Sequence, residues 1–316
     1  MRQAFLFALF ASPRLASPQE TQTPTIRVEV SRVNVGVIAT DSHGKFVEGL
    51  QKSDFHIFDN GVEQPIAGFL ANDDPAQVIL MLECGPSVNL FGAEYVQKAA
   101  ALLRNLAAND RVAIVCYSSA LTVQFELSED KASARLALRE LNFHMGFADL
   151  NLSHSLLAVL ESLRAVPGKK TVILLSSGVD SSPPQSEDDF RAIISASEVR
   201  VLAVSTTRLL VQPVKRHRRS REERASRENL DPMLKAGETT LQNLAAATGG
   251  RVYFPKSAKE FDKTYLEIAQ IVRHEYNLAF VPQSPDGKLH SLSVTASQAH
   301  RIDHRQAYLA PASSTK

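Results

Sequence analysis

Five short apolar runs constrain this chain more than any other feature: VILMLE (78–83), RVAIVCYS (111–118), TVILLSS (171–177), VRVLAVST (199–206) and RVYFP (251–255). Their near-continuous apolar character suits strands covered on both faces, as in a parallel sheet. Helical spacings separate them. One carries Tyr95, Ala99, Leu102, Leu103 and Leu106; another carries Leu152, Leu156, Val159, Leu160 and Leu163. A third runs to Ala247 and stops at Thr-Gly-Gly, and the last carries Phe261, Tyr265, Ile268 and Val272. Such alternation predicts an α/β domain over 75–275, with a Rossmann-like, doubly wound, mostly parallel sheet. Sheets of this kind bind ligands at the carboxyl ends of their strands, where Glu83, Ser118 and Ser177 fall.

The flanks have a different period. From Thr25 onward, Ile26, Val28 and Val30 share one parity and Val33, Val35 and Val37 the other, which predicts a bulge near Ser31–Arg32 or a strand that changes sheets. FHIF (55–58) followed by Asp59-Asn60-Gly61 reads as a hairpin. After Tyr276 the period of two returns with Leu278 and Phe280, a Pro-Asp-Gly turn at 285–287, then Leu292, Val294 and a last strand in RQAYLAP. Segments 25–70 and 276–311 are each too small for an independent sheet. They are expected to pack together as one small β-rich module from which the α/β domain emerges as an insertion.

Composition narrows the function classes. The 316 residues are 44% hydrophobic and 22% charged, enough for a sizeable core. A net charge of +1 gives no global attraction to nucleic acid or membrane. No apolar run approaches the roughly 18–20 residues that cross a bilayer. At the N-terminus, Arg2, the apolar stretch Ala4–Ala11 and the small residues before Pro18 resemble a secretory signal peptide over 1–17. The mature chain is therefore expected to be exported: periplasmic, secreted or bound to the cell envelope. Cys84 and Cys116 end two of the apolar runs and read as small buried thiols, although export would permit a disulfide. The stretch 208–236 is long for a connection inside an α/β domain and reads as functional or disordered. Within it, KRHRRSREERASRE (215–228) has seven Lys/Arg against three Glu, which makes a polyanion an alternative partner. It has no aromatic residue on which a base could stack, so nucleic acid is not expected.

The ECGPS turn after the first run, RVAIVCYSS, VILLSSGVDSS and TLQNLAAATGGRVYFP together resemble a von Willebrand factor type A domain. The flanks HGKFVEGLQKSDFHIFDNGVEQPI and YNLAFVPQSPDGKLHSLSV are similar to those of bacterial exported proteins that carry a type A-related domain between β segments. This resemblance implies a divalent cation, Mg²⁺ or Mn²⁺, at the carboxyl edge of the sheet. Its ligands would come from Asp-x-Ser-x-Ser after the first strand, a Thr from a later loop and an Asp after the fourth strand. Here Glu83 stands for the first Asp, Gly85 for the first Ser, Ser87 for the second, Phe147 or Ala148 for the Thr, and Ser177 for the last Asp. Asp149 and Asp180 are the nearest substitutes in sequence. An octahedral ion wanting about six hard oxygens tolerates little ligand loss, so the metal site is expected to be degenerate and no cofactor is expected. On that reading Ser87 caps the next helix. Glu83, Ser87, Asp149, Ser177 and Asp180 then line a binding face for another protein.

Gly85-Pro86-Ser87-Val88-Asn89 also approximates a nucleophile elbow. With Asp180 and either His274 or His290 it would give the Ser…Asp…His order of a serine hydrolase. That elbow usually follows several strands of the main sheet, whereas only hairpin patterns precede this one. Both histidines read as ordinary surface residues, and the chain is expected not to be an enzyme.

Overall fold

The computed structural model describes residues 32–85, 94–141, 149–183, 186–210 and 221–312. The first flank supplies β1 (Val33–Thr40), β2 (Phe55–Asp59), β3 (Val62–Gln64) and β4 (Ile66–Leu70). Alternation in β1 buries Val33, Val35 and Val37, as the sequence period requires. Asn60 and Gly61 both take positive φ between β2 and β3, the geometry of the tight turn expected at Asn-Gly. Ser31 and the earlier residues lie outside the described part, so the predicted phase flip does too.

The α/β block follows: β5 (Ala76–Glu83), α1 (Glu94–Gln97), α2 (Ala100–Asn105), β6 (Arg111–Tyr117), β7 (Leu121–Ser128), α3 (Lys131–Arg139), α4 (Leu152–Leu163), β8 (Lys169–Ser176), α5 (Glu187–Ala196), β9 (Arg200–Ser205), α6 (Thr207–Leu210), α7 (Arg221–Ala247), β10 (Arg251–Tyr253) and α8 (Ala258–His274). The sheet order is β10-β9-β8-β5-β6-β7, parallel except for the edge strand β7, which runs antiparallel to β6. Two features escape the apolar-run reading. Strand β7 has no buried residue and half of it is exposed, so it lacks the buried composition of its neighbours, and α3 follows it behind an Asp130 cap that accepts from Ala132 N and Ser133 N. Both sheet faces are covered. Leu80, Leu82 and Ile114 pack under α2, α3 and α8; Met81, Val115 and Leu174 pack under α4, α5 and α7. From residue 221 the charged stretch is helical and continuous with the rest of α7. Gly237 of α7 lies against Ser177 and Gly178 at the strand ends, close enough that a Cβ on Gly178 or Gly237 would collide with the other chain segment.

The second flank adds β11 (Tyr276–Phe280), β12 (Leu289–Ala296), β13 (Arg301–Asp303) and β14 (Ala307–Leu309). Two four-stranded sheets result, β13-β1-β11-β4 and β14-β12-β2-β3, and residues from both meet in one core of Val35, Val37, Ile57, Leu278, Phe280 and Val294. Segments from before and after the α/β block thus interleave in one sandwich. The Pro-Asp-Gly turn does not close a hairpin, because β11 and β12 pair in different sheets.

A buried ionic cluster joins the layers. Glu275 Oε1 accepts from Arg200 Nε at 2.7 Å, and both side chains are 4% exposed. Lys169 Nζ donates to Asn72 O (2.9 Å), Glu275 O (3.3 Å) and Ala71 O (3.4 Å), so it holds the entering and the returning connection together. Gly36 in β1 leaves room for the Glu275 carboxylate, which a Cβ there would strike.

Nearby, His304 donates from Nδ1 to Arg305 O (2.6 Å) and accepts at Nε2 from Val294 N (3.3 Å), which requires a neutral ring. Burial pushes its pKa below the ordinary 6.5. For Asp303 burial acts upward, but the guanidinium groups of Arg251 and Arg301 outweigh it and hold the carboxyl below its ordinary value. The sign is the same for both: the unfolded chain takes up protons that the folded chain resists, so stability falls on acidification. His304 acts as pH drops below about 6.5 and Asp303 only below about 4. The urea midpoint is expected to decline from pH 7 to pH 5, with the His304 ring protons titrating below 6.5 by NMR; titration at 6.5 or above would contradict this.

Candidate functional site

Strands β5 and β8 are neighbours whose following connections leave on opposite faces, the point where a doubly wound sheet opens a crevice. Glu83, the last residue of β5, sits there at 2% exposure. Its Oε2 accepts from Ser177 N (2.7 Å), Ser177 Oγ (2.7 Å), Ser176 Oγ (3.2 Å) and Tyr117 OH (3.3 Å). Tyr117 OH and Ser176 Oγ are themselves 2.6 Å apart. Burial, then the Glu83 charge, push the Tyr117 phenol far above its ordinary pKa, so it stays protonated and able to donate. The buried carboxylate is held by hydroxyls and a backbone N–H. The sequence pattern misses Tyr117 and Ser176 because each closes an apolar run and reads as strand interior.

The rim above this network is bonded to itself. Asp180 accepts from Ser153 N (2.9 Å) and Ser182 N (3.1 Å), so it caps α4 from the loop after β8. Leu150 N donates to Ser181 Oγ and Ser181 N to Leu150 O, while Asn151 N donates to Ser118 O and Asn151 Nδ2 to Ser119 O. Leu150 lies over Gly85: a Cβ on that glycine would stand 2.6 Å from Leu150 Cδ2. Asp149 is exposed. The structure thus brings Glu83 to Ser177, places Asp180 on a helix cap and leaves Asp149 at the surface. Ser87, Phe147 and Ala148 lie outside the described residues.

One expectation is overturned here. Cys84 and Cys116 form a disulfide with Cα atoms 5.5 Å apart. Leu82 is the register partner of Cys116, and Cys84, two residues on, lies on the same face of the sheet. Strand β5 has ended by then and Cys84 N donates to Tyr117 O, so the chain is free to turn its sulfur towards β6. Parallel-strand geometry argues against a disulfide between two strand residues, but Cys84 is not one.

The implied cation does not fit these residues. Mg²⁺ or Mn²⁺ wants about six hard oxygens. Gly85 contributes no side-chain oxygen, Leu150 fills the space over it, and the Glu83 oxygen facing Ser177 is already held by Ser177 N, Ser177 Oγ and the Tyr117–Ser176 hydroxyl pair. Among the described residues no group of three or more His, Cys, Asp and Glu is placed to hold a metal.

Among the described residues, the Asp180 and histidine partners of the hydrolase reading do not meet. His274 and His290 are buried, contrary to the surface reading. His274 stacks on Phe46 and bonds Glu48 Oε1 at 2.7 Å; His290 bonds Asp59 Oδ1 at 2.7 Å inside the sandwich. Neither is paired with Asp180.

No protein-family model and no curated protein matches the sequence. Among solved structures, the chain is similar to a von Willebrand factor type A protein from Catenulispora acidiphila at 13% identity, over 83% of this chain and 75% of that one, with a TM-score of 0.46. An aerotolerance-related membrane protein from Bacteroides fragilis aligns at 13% identity over 62% of this chain and 98% of that one (TM-score 0.44). The PilB minor pilin of Streptococcus sanguinis aligns at 12% over 66% and 63% (TM-score 0.46). The sheet order itself carries the fold: a Rossmann-like α/β layer set in a β-sandwich.

Removing the buried carboxylate takes the acceptor from Ser177 N, Ser177 Oγ and the Tyr117–Ser176 hydroxyl pair. Glu83→Ala is expected to lower the unfolding free energy by about 3 kcal/mol or more, and Tyr117→Phe by about 1 kcal/mol, in urea titrations. Equal, small losses would mean that Glu83 does not organise the site. Closing a loop of 32 residues, the disulfide is expected to contribute about 3–4 kcal/mol, read as the difference between oxidised and reduced protein. Free thiols titrating in the denatured, unreduced protein would show that the bond is not made.

Proposed function

We propose that this chain is a non-enzymatic protein-binding module that uses the carboxyl edge of its α/β sheet and needs no cation to do so. The observation that carries the reading is the consumed Glu83 carboxylate: its hydrogen bonds to Ser176, Ser177 and Tyr117 face inward. A metal-bridged contact would need that oxygen turned outward. What the edge offers a partner instead is a rim of exposed polar groups, with Ser119, Asp149, Ser181 and Ser182 held in place by the bonds of Asn151 and Asp180. Ser87 completes this face in our reading.

The same reading places the mature chain outside the cytoplasm, in the periplasm, at the envelope or secreted. The Cys84–Cys116 bond supports it, because disulfides persist in oxidising compartments. The segment 1–17 would be the export signal. No helix among the described residues is long and apolar enough to cross a membrane. The resemblance of the ECGPS, VILLSSGVDSS and TLQNLAAATGGRVYFP motifs to von Willebrand factor type A domains supports a protein partner over a small substrate.

Photo-crosslinking tests this. Probes at Ser119 and Asp149 are expected to capture an envelope protein equally well in Mg²⁺ and in EDTA, while a probe at Lys288 captures nothing comparable. Capture that EDTA abolishes, or that is equal at Lys288, would defeat the proposal.

A further inference from the structure

The chain has only two cysteines, and they are joined to each other: Cys84 and Cys116, 32 residues apart. Both belong to the buried cluster on the side of the sheet that α2, α3 and α8 cover, with exposures of 4% and 5%. Thiol–disulfide exchange needs a thiolate brought up to a disulfide sulfur, so its rate depends on access. An enzyme cannot bring its own sulfur to a pair this deep. The bond therefore has to be made while the cover is off.

Chain order supplies such a stage. Strands β5 and β6 are parallel neighbours joined through α1 and α2, so they form one βαβ unit with a cysteine close to the end of each strand. Leu82 is in register with Cys116, and Cys84 N donates to Tyr117 O at 2.9 Å, so pairing of these two strands alone brings the sulfurs together. Contacts this local form early. The cover comes later in the chain. Helix α3 follows β6, and α8, which gives Phe261, Tyr265, Ile268 and Val272 to the same cluster, is the last helix of the α/β block. A chain delivered N-terminus first presents both cysteines before α8 arrives.

We propose that this chain is a substrate of a thiol–disulfide oxidase, which closes Cys84–Cys116 after β5 and β6 have paired and before α8 docks. One cysteine thiolate attacks the oxidase's disulfide, giving a mixed disulfide and releasing one oxidase thiolate. The other cysteine thiolate then attacks the chain's own sulfur, which closes the bond and releases the second oxidase thiolate. Two electrons pass to the oxidase, whose thiolates take up the two protons that the cysteine thiols lose. With two cysteines the chain has a single intramolecular pairing, so no disulfide isomerisation follows. Only the oxidising compartment is shared with the proposed binding function; the strand-end face plays no part.

Timed oxidation of the full chain tests this, with a Cys-x-x-Cys protein in its disulfide form as the probe. Added at the start of refolding of the reduced, urea-denatured chain, the probe is expected to close the bond at least about tenfold faster than when added after refolding is complete. The native, oxidised chain covers the case in which the reduced one does not refold. Its reduction by dithiothreitol is expected to accelerate at least about tenfold across the urea unfolding transition, because the sulfurs open only with the fold. Equal oxidation rates before and after refolding would overturn the proposal. So would reduction of the native chain at a rate indifferent to urea.

Discussion

Glu275 and the two cations beside it hold the architecture together. The chain leaves the sandwich once and returns once, and Lys169 binds carbonyls from both passages while Arg200 and Thr171 hold the carboxylate. Ions buried this deeply are tolerated only when paired and hydrogen-bonded; stripping one partner from such a pair costs about 3–5 kcal/mol. The cluster lies at the ends of the strands opposite Glu83. Arg305 extends it, reaching Ser195 O, Ser197 O and Asn34 O while burial draws its pKa down to about 10. An inserted domain could swing on two connections. Here charge groups fix both connections to the sheet they serve.

Much of this was legible from residue order, because the dominant signals are periodic. Continuous apolar runs gave β5, β6, β8 and β9, and alternation gave β1, β2 and β11. Strand β7 was not legible: at the sheet edge half its residues are exposed and none is buried, so the composition that betrays a buried strand is missing. The pairing of β12 with β2 and β14 rather than β11 was hidden for another reason, since alternation reports which side of a strand is wet and not which strand lies next to it.

The site was legible only in outline. Glu83 and Ser177 could be placed at one edge from the strand ends. That they bond to each other depends on Tyr117 and Ser176, whose side chains close the pocket, and on Leu150 arriving from a distant loop. The two cysteines show the same limit. Their strands were read correctly, but Cys84 stands one residue past the end of its strand, and that single step separates a thiol from a disulfide. His274 and His290 were misread because a histidine among polar neighbours in sequence looks wet, whereas Glu48 and Asp59 meet them from far along the chain.

The bare backbone crossing of Gly178 and Gly237 has a consequence for any movement of the long helix. With no side chains between them, there is no soft layer to absorb a displacement of α7. A push on α7 reaches the peptide that donates to Glu83 as directly as a door handle reaches its latch.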